Sequence, residues 1–430
     1  MQKLLKSFNN EVKSYDKFLL LLILSLPFLL SISIFIADLV GSIAAVTLIF
    51  IYTKKKIYFF ESIKKEIIIF VIFYFIILIS LLNTDYFKIS FLASFFYFRY
   101  FLVSLSIFYL LKKYEFLIKL FYYVILFSFL FIIFDAFIQY IFGSNLIGYD
   151  YPHKGYPDVM KIMTGFFNDE KKLGSYLVRF LPLVLSLAYL NKSKDRSILL
   201  IMCFFASSIY LSSERTALFY FILIFGFYFF ISKKKGMAFF IIILLSITLL
   251  NTNSLLKNKY TRYTLDQMGI INIKDNKLNS FNQFKLYSEE HENFIHTALI
   301  IFKENIYFGS GIKTFYTKCS ELKIKHKRIN KCSTHPHSTY PQILSEIGIF
   351  GFLIIFLLLS YIIFSIVKLL YYIMRESNGG KYIPIYFISV GILINIFPLT
   401  PSGNFFNNWL SLVLFYSLGF FIFLNKKISS

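Results

Sequence analysis

Three short stretches combine residue types that can do chemistry. The clearest is Thr334-His335-Pro336-His337-Ser338-Thr339-Tyr340, which runs through Pro341 to Glu346 into Gly348-Ile349-Phe350-Gly351. A neutral imidazole at His337 can take a proton from an attacking hydroxyl. The alternative is an interfacial histidine that only hydrogen-bonds its own loop. The two glycines, three apart and beside an apolar run, allow close helix packing. His-Pro-His also suggests a metal, but no further Cys, His or carboxylate pattern supports one. The second stretch is Ser212-Ser213-Glu214-Arg215-Thr216, between two apolar runs. Arg215 presents a planar fork suited to phosphate oxygens. The alternative is a Glu214–Arg215 surface pair. The third is Thr164 to Leu177, which holds Gly165-Phe166-Phe167-Asn168-Asp169-Glu170-Lys171 and leads to Arg179. Arginine is scarce, 7 against 38 lysines among the 45 basic residues, so Arg179, Arg215, Arg262 and Arg99 near membrane edges suggest a geometry that lysine cannot supply.

The elements that must position these residues are membrane spans. The chain has 430 residues, 57% apolar and 21% aromatic, against about 45–50% apolar in soluble domains. Its charge of +22 would raise the question of nucleic acid. The lysines, however, sit in short clusters between apolar runs, which answers to topology and excludes that partner. Taking about 20 residues per crossing, twelve spans are expected near 18–36, 38–53, 66–82, 96–111, 117–140, 174–190, 197–212, 215–232, 236–251, 342–373, 384–399 and 405–424. Phe18 to Ile36 is too long for a signal-peptide core and another span follows directly. Basic connections such as Lys54-Lys55-Lys56, Lys112-Lys113 and Lys233-Lys234-Lys235 fall inside, which puts both termini in the cytoplasm.

The expectation is an all-α polytopic membrane protein. Residues 1–251 hold helices 1–9 with a shorter outer loop at about 141–173. Residues 252–340 form one large, partly helical periplasmic loop, and 341–430 hold helices 10–12. Loops of such length are uncommon unless functional. All six histidines, His153, His291, His296, His326, His335 and His337, fall in the two outer segments, so chemistry is expected on that face. Glu290 to Asn305 reads as an amphipathic helix, with Phe294, Ile295, Leu299, Ile300 and Phe302 at helical spacing. Cys203 lies in a span and reads as an apolar packer. Cys319 and Cys332 either pair, closing a loop worth about 3 kcal/mol, or stay as two free thiols.

Taken together, these motifs resemble the O-antigen ligase and O-antigen polymerase superfamily of bacterial envelope glycosyltransferases. His337, Ser338, nine residues, then Gly348 and Gly351 match its His–small polar–Gly-x-x-Gly signature. Ser213-Glu214-Arg215-Thr216 is similar to its Ser-Arg-Gly/Thr element, with Glu214 intruding. Gly165-Phe166-Phe167-Asn168 resembles Gly-x-Phe-x-Asn, and Glu304-Asn305-Ile306 to Gly311 resembles its Glu-Asn-Pro-Leu-x-Gly-x-Gly segment. The resemblance implies a glycosyltransferase of the bacterial inner membrane, without metal or cofactor. Its donor would be a glycan on a polyprenyl diphosphate such as undecaprenyl diphosphate. Its acceptor would be a hydroxyl of lipid A–core or a similar glycan, placing it in lipopolysaccharide biosynthesis. It implies catalytic roles for His337 and Arg215, and substrate contacts from Arg262, Arg179, Lys171, Asn168 and Ser338. A polymerase joining lipid-linked repeat units is the alternative. A flippase or transporter should carry charge deep in several spans, whereas here Asp135 is the main exception.

Overall fold

The computed structural model describes residues 8, 10–55, 58–151, 161–232, 234–236, 254–272, 277–278, 285–325 and 331–429. Long apolar runs in lipid must satisfy every backbone N–H and C=O internally, so they fold as helices. Seven such helices lead from the N-terminus: α1 (Ser14–Ile32), α2 (Ile34–Lys55), α3 (Lys64–Ile79), α4 (Phe87–Phe95), α5 (Phe98–Lys113), α6 (Leu117–Phe142) and α7 (Leu173–Leu190). Then come α8 (Asp195–Leu211) and α9 (Arg215–Ile231). Short elements follow: α10 (Ser254–Tyr260), α11 (Arg262–Gln267), the strands β1 (Ile271–Asn272) and β2 (Lys277–Leu278), α12 (Glu289–Glu304) and α13 (Phe315–Lys325). The chain closes with α14 (Thr339–Arg375), α15 (Ile383–Asn395) and α16 (Asn408–Ser429).

Eight helical segments among the described residues are long and apolar enough to cross a membrane. The protein is therefore a multi-pass membrane protein, but the expected twelve spans are not all found. The expected span 236–251 lies almost wholly outside the described residues. Those at 197–212 and 215–232 form helices of 17 residues each, about 25 Å long at 1.5 Å per residue. The one at 384–399 is a helix of only 13 residues, ending at Asn395. It need not reach across lipid, because it is buried along its length by α7, α14 and α16. Helix α7 is the most buried of these eight segments, whereas α3 turns Ile68, Ile69 and Phe75 outward.

Charges inside the spans are tied down in pairs, as their desolvation demands. Asp16 accepts from Tyr109 (2.9 Å), Lys113 (2.7 Å) and Tyr114 (2.8 Å). Arg99 binds both carboxylate oxygens of Asp38, at 2.9 and 3.0 Å. Asp135 binds the Asn145 amide (3.1 Å) and the Leu146 N–H (3.0 Å), and so folds the following loop back on its helix. Arg179 and Glu346 are also buried in spans, so Asp135 is less of an exception than the composition suggested.

Helix α14 is two helices joined at Gly348 (φ 69°, ψ −167°). The reason is a backbone clamp. The N–H groups of Ser310 and Gly311 donate to the carbonyls of Ser345 and Glu346 (both 2.9 Å), and that of Ile349 donates to Ile306 (2.8 Å). A Cβ on Gly348 would meet the Tyr307 carbonyl oxygen at 2.3 Å, and one on Gly309 would meet the Glu346 carbonyl carbon at 2.4 Å. The glycine motif thus docks a loop onto a helix start rather than packing two spans, as its spacing had suggested.

Beside this clamp, Phe294, Ala298 and Ile301 of α12 and Phe315, Cys319 and Leu322 of α13 form a small separate core. Cys319 and Cys332 form a disulfide that fastens α13 to the chain just before His335. Cys332→Ser should loosen that small core by about 3 kcal/mol while leaving the spans intact. The check is transfer activity and thermal unfolding with and without reductant: activity falls at a temperature where helical circular dichroism is unchanged.

Candidate functional site

The first half of the site grows from the turn between α8 and α9. Ser213 takes φ 62° there, and Arg215 opens α9. Glu214 does not pair with Arg215 at the surface. Its carboxylate turns to the start of α7, accepting from the N–H of Gly174 (2.6 Å) and of Ser175 (3.0 Å) and from the Ser175 hydroxyl (2.6 Å). This satisfies otherwise orphaned N–H groups at a helix start. Burial raises the Glu214 pKa, and these hydrogen bonds oppose the rise. Gly174 has to be small, since a Cβ there would lie 2.3 Å from the Ser212 hydroxyl.

Cations gather around this turn. Arg215 reaches Thr264 of α11 through Nη1 (3.4 Å), and Lys259 of α10 donates to the Ser213 hydroxyl. Tyr260 holds α10 in place, stacking on Tyr210 at 5.1 Å and donating to its carbonyl (2.8 Å). Lys171 interacts with Lys259, Glu214 and Arg215. Its burial, followed by the Lys259 charge, pulls the Lys171 pKa down to about 7. Burial and the Arg215 charge lower that of Lys259 as well. Three basic side chains held together and partly dehydrated, against one carboxylate already engaged by backbone, are an arrangement suited to a multiply charged anion. Lys171 is charged below about pH 7 and neutral above it. Anion binding should therefore weaken as pH rises through 7, and Lys171→Arg should flatten that dependence. The pH profile of the donor KM measures both.

The second half is a cluster of imidazoles. The His337 ring lies 4.1 Å from that of His335, 5.2 Å from that of His291 on α12, and 5.7 Å from Phe294. His337 sits at φ 54°. Its carbonyl accepts from the Ser402 N–H (2.9 Å), while His335 Nε2 meets the Ser402 carbonyl (3.2 Å), which zips the segment to the loop before α16. His337 Nε2 pairs with the Ser333 hydroxyl (3.0 Å). Burial, then the charges of His335 and His291, push the His337 pKa down to about 4. The ring is thus neutral at pH 7, the form in which it can accept a proton. Among the described residues, no three His, Cys, Asp or Glu side chains are arranged to hold a metal ion.

His291 joins the halves. Burial lowers its pKa, the Glu290 carboxylate opposes that fall, and the Arg215 charge adds to it, so Arg215 lies within electrostatic reach of His291. A cation pocket beside a neutral imidazole is a geometry for moving a group off a phosphate-type leaving group onto a hydroxyl.

Residues 198–356 match the family model described as O-antigen ligase. That match places this stretch in the O-antigen ligase superfamily. It supports a membrane-embedded, glycosyltransferase-like function of the O-antigen ligase or polymerase type, with a lipid-linked glycan and a glycan acceptor as the substrates the family implies. No curated protein matches the chain. The O-antigen ligase stretch holds Arg215, Lys259, His291, the Gly309–Gly348 clamp and His337, whereas Lys171 comes from upstream of it.

The remaining sequence candidates are placed variously around the O-antigen ligase stretch. Ser338 is buried as the cap residue of α14. Arg179 is buried in α7, donating to Asn395 (2.9 Å) and lying over the Tyr220 ring at 5.6 Å. Arg262 is exposed on α11, two residues before the Thr264 that Arg215 contacts. Asn168 lines a different cavity. His153 and His326 lie outside the described residues. Sequence reasoning did not single out Lys259, and it named His291 only as one of the six outer histidines. The signal for His291 was its place three residues before Phe294 and seven before Ala298, on the buried face of the amphipathic helix.

Proposed function

We propose that the chain transfers a polyprenyl-diphosphate-linked glycan to an acceptor hydroxyl of lipid A–core or a similar glycan, on the periplasmic face of a bacterial inner membrane with both termini cytoplasmic. What supports this is the Lys171–Arg215–Lys259 group of cations, whose Arg215 charge is felt at His291, together with the His291 ring 5.2 Å from the neutral His337. The acceptor oxygen attacks the anomeric carbon of the glycan. The bond from that carbon to the diphosphate oxygen breaks, and the electron pair leaves with the lipid diphosphate. His337 takes the acceptor proton. Arg215, Lys171 and Lys259 balance the charge that gathers on the leaving diphosphate, and Arg262 meets it from the solvent rim. Arg179 positions α7 against α9 and α15 beneath the pocket, while Ser338 and Asn168 contact the substrate. Because diphosphate leaves readily, alignment and charge neutralisation supply most of the rate.

Deleting the gene in its native host and inspecting the lipopolysaccharide tests the reading. Bare core with accumulated lipid-linked long chains is the expected result. Core bearing a single repeat unit would assign a polymerase instead. Unchanged lipopolysaccharide would contradict both.

A further inference from the structure

The segment that brings Lys171 to the cations also borders a second cavity. Glu170 and Lys172, the neighbours of Lys171, line a space of about 360 Å³ together with Asn168, Asp169, Phe167, Ser33 and Trp409. This lies within the about 300–1,000 Å³ typical of small-molecule sites. It sits where α1 passes into α2, at the start of α16.

Its chemistry differs from that of the cation pocket. The only cation lining it, Lys172, is paired with Glu170, so it has no surplus charge for an anion. Trp409 is 6% exposed, and its indole N–H has no partner among the described residues. Asn168 holds φ 53° and ψ −125°, a conformation that suits glycine, while its side chain stays exposed at the cavity. Backbone strain of this kind costs on the order of 1–3 kcal/mol and persists where the surroundings or function demand it. An indole, an amide, the exposed carboxylate of Asp169 and a serine hydroxyl are groups that bind a sugar ring. The indole N–H of the largely buried Trp409 can donate to a sugar oxygen, and the other polar groups exchange hydrogen bonds with its hydroxyls.

We propose that this cavity is a saccharide subsite that holds part of the glycan beside the transfer centre. The proposal rests on the glycan-transfer reading for the identity of its ligand, but its test needs no turnover. Trp409 is the only tryptophan in the chain, so intrinsic tryptophan fluorescence reports on this cavity alone. The full-length protein in nanodiscs would be titrated with the oligosaccharide released by mild acid from the host's lipid-linked intermediates. A saturable change in emission is expected. Asn168→Gly removes the amide while fitting the backbone, and it should weaken the titration about tenfold, as should Asp169→Asn. Absence of a saturable change, equal affinity in both variants, or the same change from polyprenyl phosphate without sugar would overturn the subsite. A positive titration combined with normal lipopolysaccharide after gene deletion would strike the transfer reading and leave the subsite standing.

Discussion

Replacing His337 by asparagine should leave a folded protein that still binds donor but transfers glycan about 10²–10⁴-fold more slowly. Asparagine is the informative choice because His337 sits at φ 54°. Asparagine tolerates this left-handed region, whereas alanine there adds roughly 1–2 kcal/mol of strain and confuses folding with catalysis. The defect should fall on kcat. With the imidazole held near pKa 4, the wild-type transfer rate at saturating donor should stay level from neutral pH down to about 5 and fail only as the ring takes a proton. His337→Asn should remove that acid limb. Single-turnover transfer across pH, with thermal unfolding as the folding control, reads both.

The largest loss of stability is expected at the clamp between the two glycine motifs. In Gly309→Ala and Gly348→Ala the new methyl group would stand 2.4 and 2.3 Å from opposing backbone, at φ 71° and 69°. Backbone cannot swing aside as a side chain can, so the hydrogen bonds joining residues 306–311 to 345–349 must part. Adding left-handed strain to that loss gives on the order of 3–5 kcal/mol for each variant. Gly226→Ala is the control. It lies in α9 with open space around its Cβ position, and it should stabilise by about 0.5–1 kcal/mol. Thermal unfolding in detergent separates the two outcomes.

Those glycines also mark where the sequence stops being informative. Gly348 and Gly351 were visible as a motif, but pairing of Gly348 with Tyr307 and Phe308 joins segments about 40 residues apart and leaves no periodic trace. Apolar length located the long helices well, because lipid imposes it on each span separately. It failed at α15, which is buried by other helices and needs no full crossing. Arg215, Lys171 and His337 stood out in the sequence because a scarce arginine, a basic segment and a histidine at a span edge are conspicuous. Lys259 was one lysine among 38 and carried no such mark. The use of Glu214 as a cap for α7 depends on an interaction across some 40 residues, which local pattern does not record. Arg262, chosen for its residue type, lies exposed on α11, two residues from the Thr264 that Arg215 contacts.

The central claim is that the cation pocket and the imidazole cluster act on one substrate, and a split between binding and chemistry tests it most directly. Purified protein in nanodiscs would be given the host's polyprenyl-diphosphate glycan, and donor affinity and transfer rate would be measured for wild type, Arg215→Ala, Lys259→Ala and His337→Asn. Arg215→Ala should lower kcat/KM about 10²–10³-fold and weaken donor binding. Lys259→Ala should do the same in smaller measure. His337→Asn should bind donor as wild type does and fail to transfer it. Transfer at the wild-type rate by His337→Asn, or unaltered donor affinity in Arg215→Ala, would contradict the account.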